Sequence, residues 1–241
     1  MLNAPKGTRP CRSSNSEMKK VNLGSGTTCL SDWINIDNSL NARLAKRPRL
    51  RLLLFKMKIL PKALYEIPWD RCSDRITIHD ARKKLPFADN SVDYIYSSHL
   101  IDQFSRTGTA EMLNECYRVL KNQGLTRLVT TDLEKIANNY VRAITHFKNN
   151  LDKNGSLASE GFLSFIFLPD STRSYLPFRQ KPLWRRSWIY DYQSLARLLE
   201  SCGFAKIKKR DYRVGEMPDI SLLDNRPDHS LYIDAKKCQV E

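Results

Sequence analysis

Four groups of residues have the types and spacing to do chemistry. The first is VNLGSG, an apolar run ending in Gly24-Ser25-Gly26, followed after WINI by Asp37. Glycines at such a turn permit backbone angles and close approaches that a side chain forbids, so the turn is either an ordinary strand exit or a ligand cradle. An acid at the end of the next strand is placed to accept hydrogen bonds from two ribose hydroxyls, and the pair points to an adenosine-containing cofactor. The second is Asp80, at the end of the run RITIH. The third is Ser97-Ser98-His99, polar residues where a buried strand opens into a loop, with Asp102 three positions on. His99 is the candidate general base, since an unperturbed imidazole titrates near pH ~6.5; the alternative is a loop histidine bonded to a neighbouring backbone group. Asp102 either orients His99, carries negative charge, or simply ends a helix. The fourth, Thr131-Asp132-Leu133-Glu134, has the form of a capping box, which gives Thr131 and Glu134 a sufficient structural reason to be there. His79, His146 and His229 have no partner pattern.

The elements that must hold these groups follow from the apolar periodicity. Lys20 opens a Val-x-Leu strand ending at Gly24, and only nine residues, 24–32, precede the apolar run Trp33 to Ile36. That is short for a strand-helix-strand crossover, so the first helix is reduced to about a turn or is missing. Residues 43–62 carry eight basic residues and no acidic one, with Leu50, Leu53, Leu54, Met57 and Leu60 at helical spacing after Pro48. They read as a basic amphipathic helix with its apolar stripe on the core and its basic back in solvent; a membrane-surface or nucleic-acid-binding element is the alternative. RITIH is a third strand and Val92 to Tyr96 a fourth. Residues 109–120 form a helix stopped by Asn122-Gln123-Gly124, with Gly124 suited to the left-handed cap. A fifth strand over 125–129 leads to a helix reaching about Phe147. Residues 148–183 read as an irregular insertion, either a lid or recognition element over the site or a packed excursion. A helix over 191–200, a sixth strand over 204–213 and a seventh over 230–235 (SLYIDA) complete a doubly wound α/β sheet, a three-layer sandwich. Residues 1–17 are polar, basic and aperiodic, a disordered tail before a single domain over 18–241.

Composition bounds the partners. The 241 residues are 41% hydrophobic, enough for a full core, and 40 Lys plus Arg against 26 Asp plus Glu give a net charge of +14. That excess suits an anionic partner: nucleic acid, a phosphorylated glycan or a lipid surface. The six cysteines are scattered without a C-x-x-C pair, so neither a metal site nor a disulfide framework is expected, and a reducing cytoplasm fits. No apolar run approaches the ~20 residues that span a bilayer.

The order of VNLGSG, WINID, LPFADNSVDYIYSSHLIDQF, ECYRVLKNQGLTRLV, TDLEKI, IYDYQSLARLLESCGF and SLYIDA resembles the class I S-adenosylmethionine-dependent methyltransferases, and within them a bacterial-type branch of the methyltransferase type 11 kind. The resemblance spans residues 18–236. It implies a Rossmann-like, seven-stranded sheet with the last strand antiparallel, and S-adenosylmethionine as cofactor. By it Gly24, Ser25 and Gly26, with Leu23 beside them, would contact the methionine part, Asp37 the ribose, and Asp80 with Ala81 the adenine. Ser97, Ser98 and His99 would line the pocket beside the sulfonium. The chain departs from the family in three places. Ser25 and Thr27 stand in a loop that more often reads Gly-Cys-Gly or Gly-x-Gly-x-Gly. Asn122-Gln123-Gly124 replaces Pro-Gly-Gly, and Arg186 replaces the histidine of a His-x-Trp-Met-Tyr-Asp motif.

Methyl transfer from a sulfonium is an in-line displacement that asks the protein for alignment, exclusion of water and, for some acceptors, removal of a proton. No Asn/Asp-Pro-Pro-aromatic motif follows the fourth strand, which disfavours an exocyclic base amine, and no paired cysteines stand there for attack on a pyrimidine ring. Oxygen or simple nitrogen acceptors on a glycan, lipid, small molecule or RNA are left open. The alternative function is a non-catalytic Rossmann-like module that binds nucleic acid or an anionic membrane surface. A nicotinamide dinucleotide enzyme ranks last, because Gly24-x-Gly26-x-x-Cys29 lacks the third glycine and Asp37 comes too early.

Overall fold

The computed structural model describes residues 18–69, 72–149, 159, 162–163 and 187–238. The expected tail over 1–17, nearly all of the 148–183 insertion, and Arg186 lie outside the described residues. Seven strands form one mixed sheet: β1 (Lys20–Leu23), β2 (Ile34–Asp37), β3 (Ile76–Ile78), β4 (Val92–Ser98), β5 (Leu120–Thr131), β6 (Phe204–Arg210) and β7 (Ser230–Lys237). Their order is β3-β2-β1-β4-β5-β7-β6, with the first five parallel and β7 antiparallel to both neighbours. The expected doubly wound sheet with an antiparallel last strand is therefore present. Its topological switch lies between β1 and β4, where Leu23 is level with Ser97. Open α/β sheets bind ligands just beyond the carboxyl ends of their strands at this point.

Helices follow where the periodicity is strongest: α1 (Leu40–Ala45), α2 (Pro48–Lys56), α3 (Lys62–Tyr65), α4 (Arg106–Val119), α5 (Leu133–Asn149), α6 (Tyr192–Ser201) and α7 (Ile220–Leu223). On one sheet face Val21, Leu23, Ile36 and Ile95 pack with Met112, Leu113 and Cys116 of α4 and Leu195 and Leu199 of α6. Both helices have side-chain N-caps: Ser105 accepts from the Gly108 N–H, and Asp191 forms a capping box with Ser194.

The other face is covered differently. No helix forms between β1 and β2, as the nine-residue link demanded. Residues 211–229 fill the place: Met217, Leu223 and Ile220 pack on Trp33, Tyr96, Leu125, Val129 and Tyr232. Polar contacts fix the cover. The Tyr96 hydroxyl donates to the Leu223 carbonyl at 2.9 Å, and Asp219 accepts from Lys20 Nζ and Trp33 Nε1, each at 2.9 Å. At its centre Arg127, fully buried in β5, pairs with Asp224 at 2.7 Å and Asp234 at 2.8 Å and donates to the carbonyls of Asp211 and Val214.

Three expectations are corrected. The segment 43–62 is divided among three helices, and α2 presents three of its four leucines to solvent while burying Arg51. At the turn before the fifth strand the left-handed residue is Gln123, φ +62°, and not Gly124. Gly124 is instead required by crowding, since a Cβ there would lie 2.8 Å from the Lys121 carbonyl oxygen. The cap of α5 is Asp132, whose Oδ1 accepts from the Lys135 N–H at 3.2 Å. Thr131 is used elsewhere, as described next.

Candidate functional site

The turn after β1 is pinned to β2 before it reaches any ligand. The N–H groups of Gly24 and Ser25 both donate to the Ile36 carbonyl, at 2.8 and 3.1 Å. Gly24 and Gly26 both take positive φ, +68° and +54°. They serve different ends. A Cβ on Gly24 would sit 3.0 Å from the Leu100 side chain, so its bareness lets the loop after β4 close over the turn. A Cβ on Gly26 would meet no atom within 4 Å, so its bareness leaves open space. Asp37 borders that space. Its Oδ2 accepts from the Gly26 N–H at 2.9 Å and its Oδ1 from the Ser39 N–H at 2.7 Å. A carboxylate has about four acceptor sites, so two remain for ligand hydroxyls after it has shaped the loop.

Asp80 leaves the end of β3 and is gripped by Arg82, Nε at 3.0 Å and Nη2 at 2.7 Å. This hydrogen-bonded pairing holds its carboxyl below the usual carboxylate range, against a smaller upward push from burial. The Arg82 guanidinium lies 5.1 Å from the Phe104 ring centre. Ala81 is buried in the core. Sequence reasoning missed Arg82, although a basic residue two positions past an acid was in view.

At the end of β4, Ser97 is 2% exposed and its hydroxyl has no hydrogen-bond partner among the described residues. An unpartnered buried hydroxyl beside Leu23, one residue before the glycine turn, is the kind of orphan that a bound group satisfies. Ser98, next along the strand, is half-buried. Leu23 itself is fully buried in the core.

His99 is held within the protein. It adopts φ +50°, its N–H donates to the Val129 carbonyl at 2.8 Å, and both ring nitrogens are engaged. Nδ1 lies 3.0 Å from Asp102 Oδ2 and Nε2 lies 3.1 Å from Ser230 Oγ. Asp102, 3% exposed, also accepts from the hydroxyls of Thr130 and Thr131, the latter at 2.7 Å. Burial pushes the Asp102 carboxyl up, but the hydrogen bond and charge of His99 and the two threonine hydroxyls outweigh it and hold the group below the ordinary range. The Asp102 carbonyl accepts from the Ser187 N–H at 2.6 Å and the Trp188 N–H at 3.3 Å, which ties the segment leading into α6 to the site. Ser230, Thr130 and Thr131 were missed. Thr131 stands opposite Ser230 in the β5–β7 pairing, a register the sequence does not announce.

With two glycines bare for separate reasons, a half-used carboxylate and an orphan hydroxyl at the switch point, the residues present fit an adenosine cofactor lacking a pyrophosphate. No helix N-terminus follows β1 to receive phosphates. Among the described residues no cluster of His, Cys, Asp or Glu could hold a metal ion.

The comparison with family models agrees with this reading. A family model described as a methyltransferase domain matches residues 56–128, which include Asp80, Ala81, Ser97, Ser98, His99 and Asp102. No curated protein matches the chain. Among solved structures, an S-adenosylmethionine-dependent methyltransferase from Thermotoga maritima is 16% identical, covers 91% of this chain and 81% of its own, and superposes with a TM-score of 0.49. One from Archaeoglobus fulgidus is 13% identical over 92% and 87% of the two chains, with a TM-score of 0.47. A Haloferax volcanii methyltransferase in complex with the Trm112 methyltransferase activator is 12% identical over 92% and 84%, also at 0.47.

Proposed function

We propose that this chain, a class I S-adenosylmethionine-dependent methyltransferase, transfers its cofactor's methyl group to an oxygen or nitrogen acceptor on a glycan, lipid, small molecule or RNA. The observation that carries the reading is the open space at Gly26, bounded by Asp37 at the switch point of the sheet. In this proposal residues 18–241 act as one domain. The Gly24-Ser25-Gly26 backbone lies against the methionine part, the two unused acceptor sites of Asp37 take the ribose hydroxyls, and Asp80 with Ala81 faces the adenine. The Ser97 hydroxyl, unpartnered in the protein, and Ser98 line the reacting end. S-adenosylmethionine supplies an electrophilic methyl group on a sulfonium. The protein's part is alignment and exclusion of water, which suffice for a nucleophile that needs no deprotonation. His99 is assigned a positioning role here: with Asp102 and Ser230 it fixes the loop whose Leu100 closes over Gly24.

Calorimetry with S-adenosylmethionine tests the cofactor assignment, and absence of binding at millimolar concentration would sink it. Incubation with a labelled methyl donor and fractionated cell extract then tests the transfer, through label in a polysaccharide, lipid, small-molecule or RNA fraction. A competing reading is a module that keeps the cofactor without catalysis: both ring nitrogens of His99 are engaged within the protein, Nδ1 with Asp102 and Nε2 with Ser230. Cofactor binding without label in any fraction would select it. All five cysteines among the described residues are free thiols, which supports a reducing compartment such as the cytoplasm.

A further inference from the structure

Helix α2 is turned inside out. Its buried position belongs to Arg51, 5% exposed, whose Nη2 donates to the carbonyls of Tyr65 at 2.6 Å and Ile67 at 2.8 Å and whose guanidinium lies 5.2 Å from the Tyr65 ring centre. Three of its four leucines point the other way, while Leu54 is half-buried. Leu50, Leu53 and Met57, spaced to fall on one side of a helix, are 38%, 52% and 58% exposed, and Leu52 is 41% exposed. Arg49 and Lys56 flank this stripe and are exposed, as are Arg43, Lys46, Arg47, Lys58 and Lys62. No acidic residue occurs between Asp37 and Glu66. A helix serving only the core would bury the leucines and leave the arginine in water. The reversed arrangement presents an apolar stripe inside a field of cations.

We propose that this face docks on an anionic lipid bilayer, with Leu50, Leu53 and Met57 entering the boundary between headgroups and acyl chains and Arg49 and Lys56 lying at the lipid phosphates. This pattern matches interfacial helices, whose binding combines buried apolar area with attraction to anionic lipid. RNA fits the face less well. Single strands bind where aromatic rings offer a stacking platform, and the helix's one aromatic residue, Phe55, is already stacked on Tyr65 at 4.1 Å and 7°. A symmetric contact with a second copy would set the same cations against each other. The inference stands independently of methyl transfer.

The test is co-sedimentation of the full chain with vesicles of phosphatidylcholine alone or with roughly 30% phosphatidylglycerol, at about 0.15 M salt. Partitioning onto the anionic vesicles is expected to be at least about tenfold stronger, and the doubles Leu50→Ser/Leu53→Ser and Arg49→Glu/Lys56→Glu are each expected to lower it by about tenfold with an unchanged melting temperature. A Leu53→Trp protein should shift its emission to the blue on addition of the anionic vesicles. Vesicle binding that neither double weakens would overturn the proposal, as would an unshifted emission. Two further results would do the same: binding of a single-stranded RNA oligonucleotide without vesicle binding, or a dimer in solution that the leucine double dissociates while vesicles bind nothing.

Discussion

Asp102 converts a pair of residues three apart into a clasp across three strand ends. Its carboxylate meets His99 after β4 and Thr130 and Thr131 at the end of β5, while His99 reaches Ser230 at the start of β7. The sequence made the His99 and Asp102 pair visible, but not its purpose. Open base and closed clasp differ only in what Nε2 meets, and Ser230 lies 131 residues away. We expect Asp102→Asn to lower stability by about 2–4 kcal/mol, because buried donors lose a charged acceptor. The sign with pH follows from the lowered carboxyl. A group held below its unfolded pKa of ~3.9 contributes stability that is fully present above that value and is lost as pH falls through the folded one. Melting temperature against pH should therefore fall less steeply on the acid side in Asp102→Asn than in the parent. Gly26 supports a prediction of a different kind. Gly26→Val should weaken S-adenosylmethionine binding in calorimetry by at least about tenfold, and its left-handed φ should cost about 1 kcal/mol of stability in thermal melts.

Elements were legible wherever an apolar stripe met a clear stop. α4 and α6 were readable on that basis, and so was the absent helix between β1 and β2, because nine residues cannot make the crossover. The direction in which α2 faces was not legible. The pattern of leucines is the same whether they face in or out, and only the carbonyls of Tyr65 and Ile67, gathered by the following turn, decide that Arg51 goes inside. The turn into β5 misled for a related reason: Gln123 carries the left-handed angle that glycine would take more cheaply, while its glycine neighbour answers to crowding. Gln123→Gly should accordingly be neutral to stabilising, by up to about 1 kcal/mol in thermal melts, with steric relief partly offset by a freer unfolded chain. The cover over the second face hangs on Arg127. Replacing it by Met leaves Asp224 and Asp234 buried without their shared cation, and urea unfolding should report a loss of about 3–5 kcal/mol.

The molecule as a whole spreads one sheet between two contrasting edges. β3 has only three residues, whereas β6 is interrupted by a register shift between Ala205 and Lys208 and carries Lys206 in a left-handed conformation. A bulge and a run of lysines discourage a further strand from extending that edge. The doubly wound sheet was readable from its alternating elements, whereas the antiparallel last strand came only with the family resemblance. The identity of the cover was not readable, since nothing in residues 211–229 marks them as the substitute for a missing helix. That substitution governs when the domain can exist. Lys20 and Trp33 wait for Asp219, a partner 199 residues beyond Lys20, so the inner strand of the sheet stays half bare throughout most of synthesis. A nascent chain on the ribosome exposes Trp33 and Tyr96 until the stretch around Leu223 emerges, and a chain cut at residue 210 should show no cooperative melting at all. Late completion of the second face is thus built into the topology, in exchange for a first loop left free of any helix.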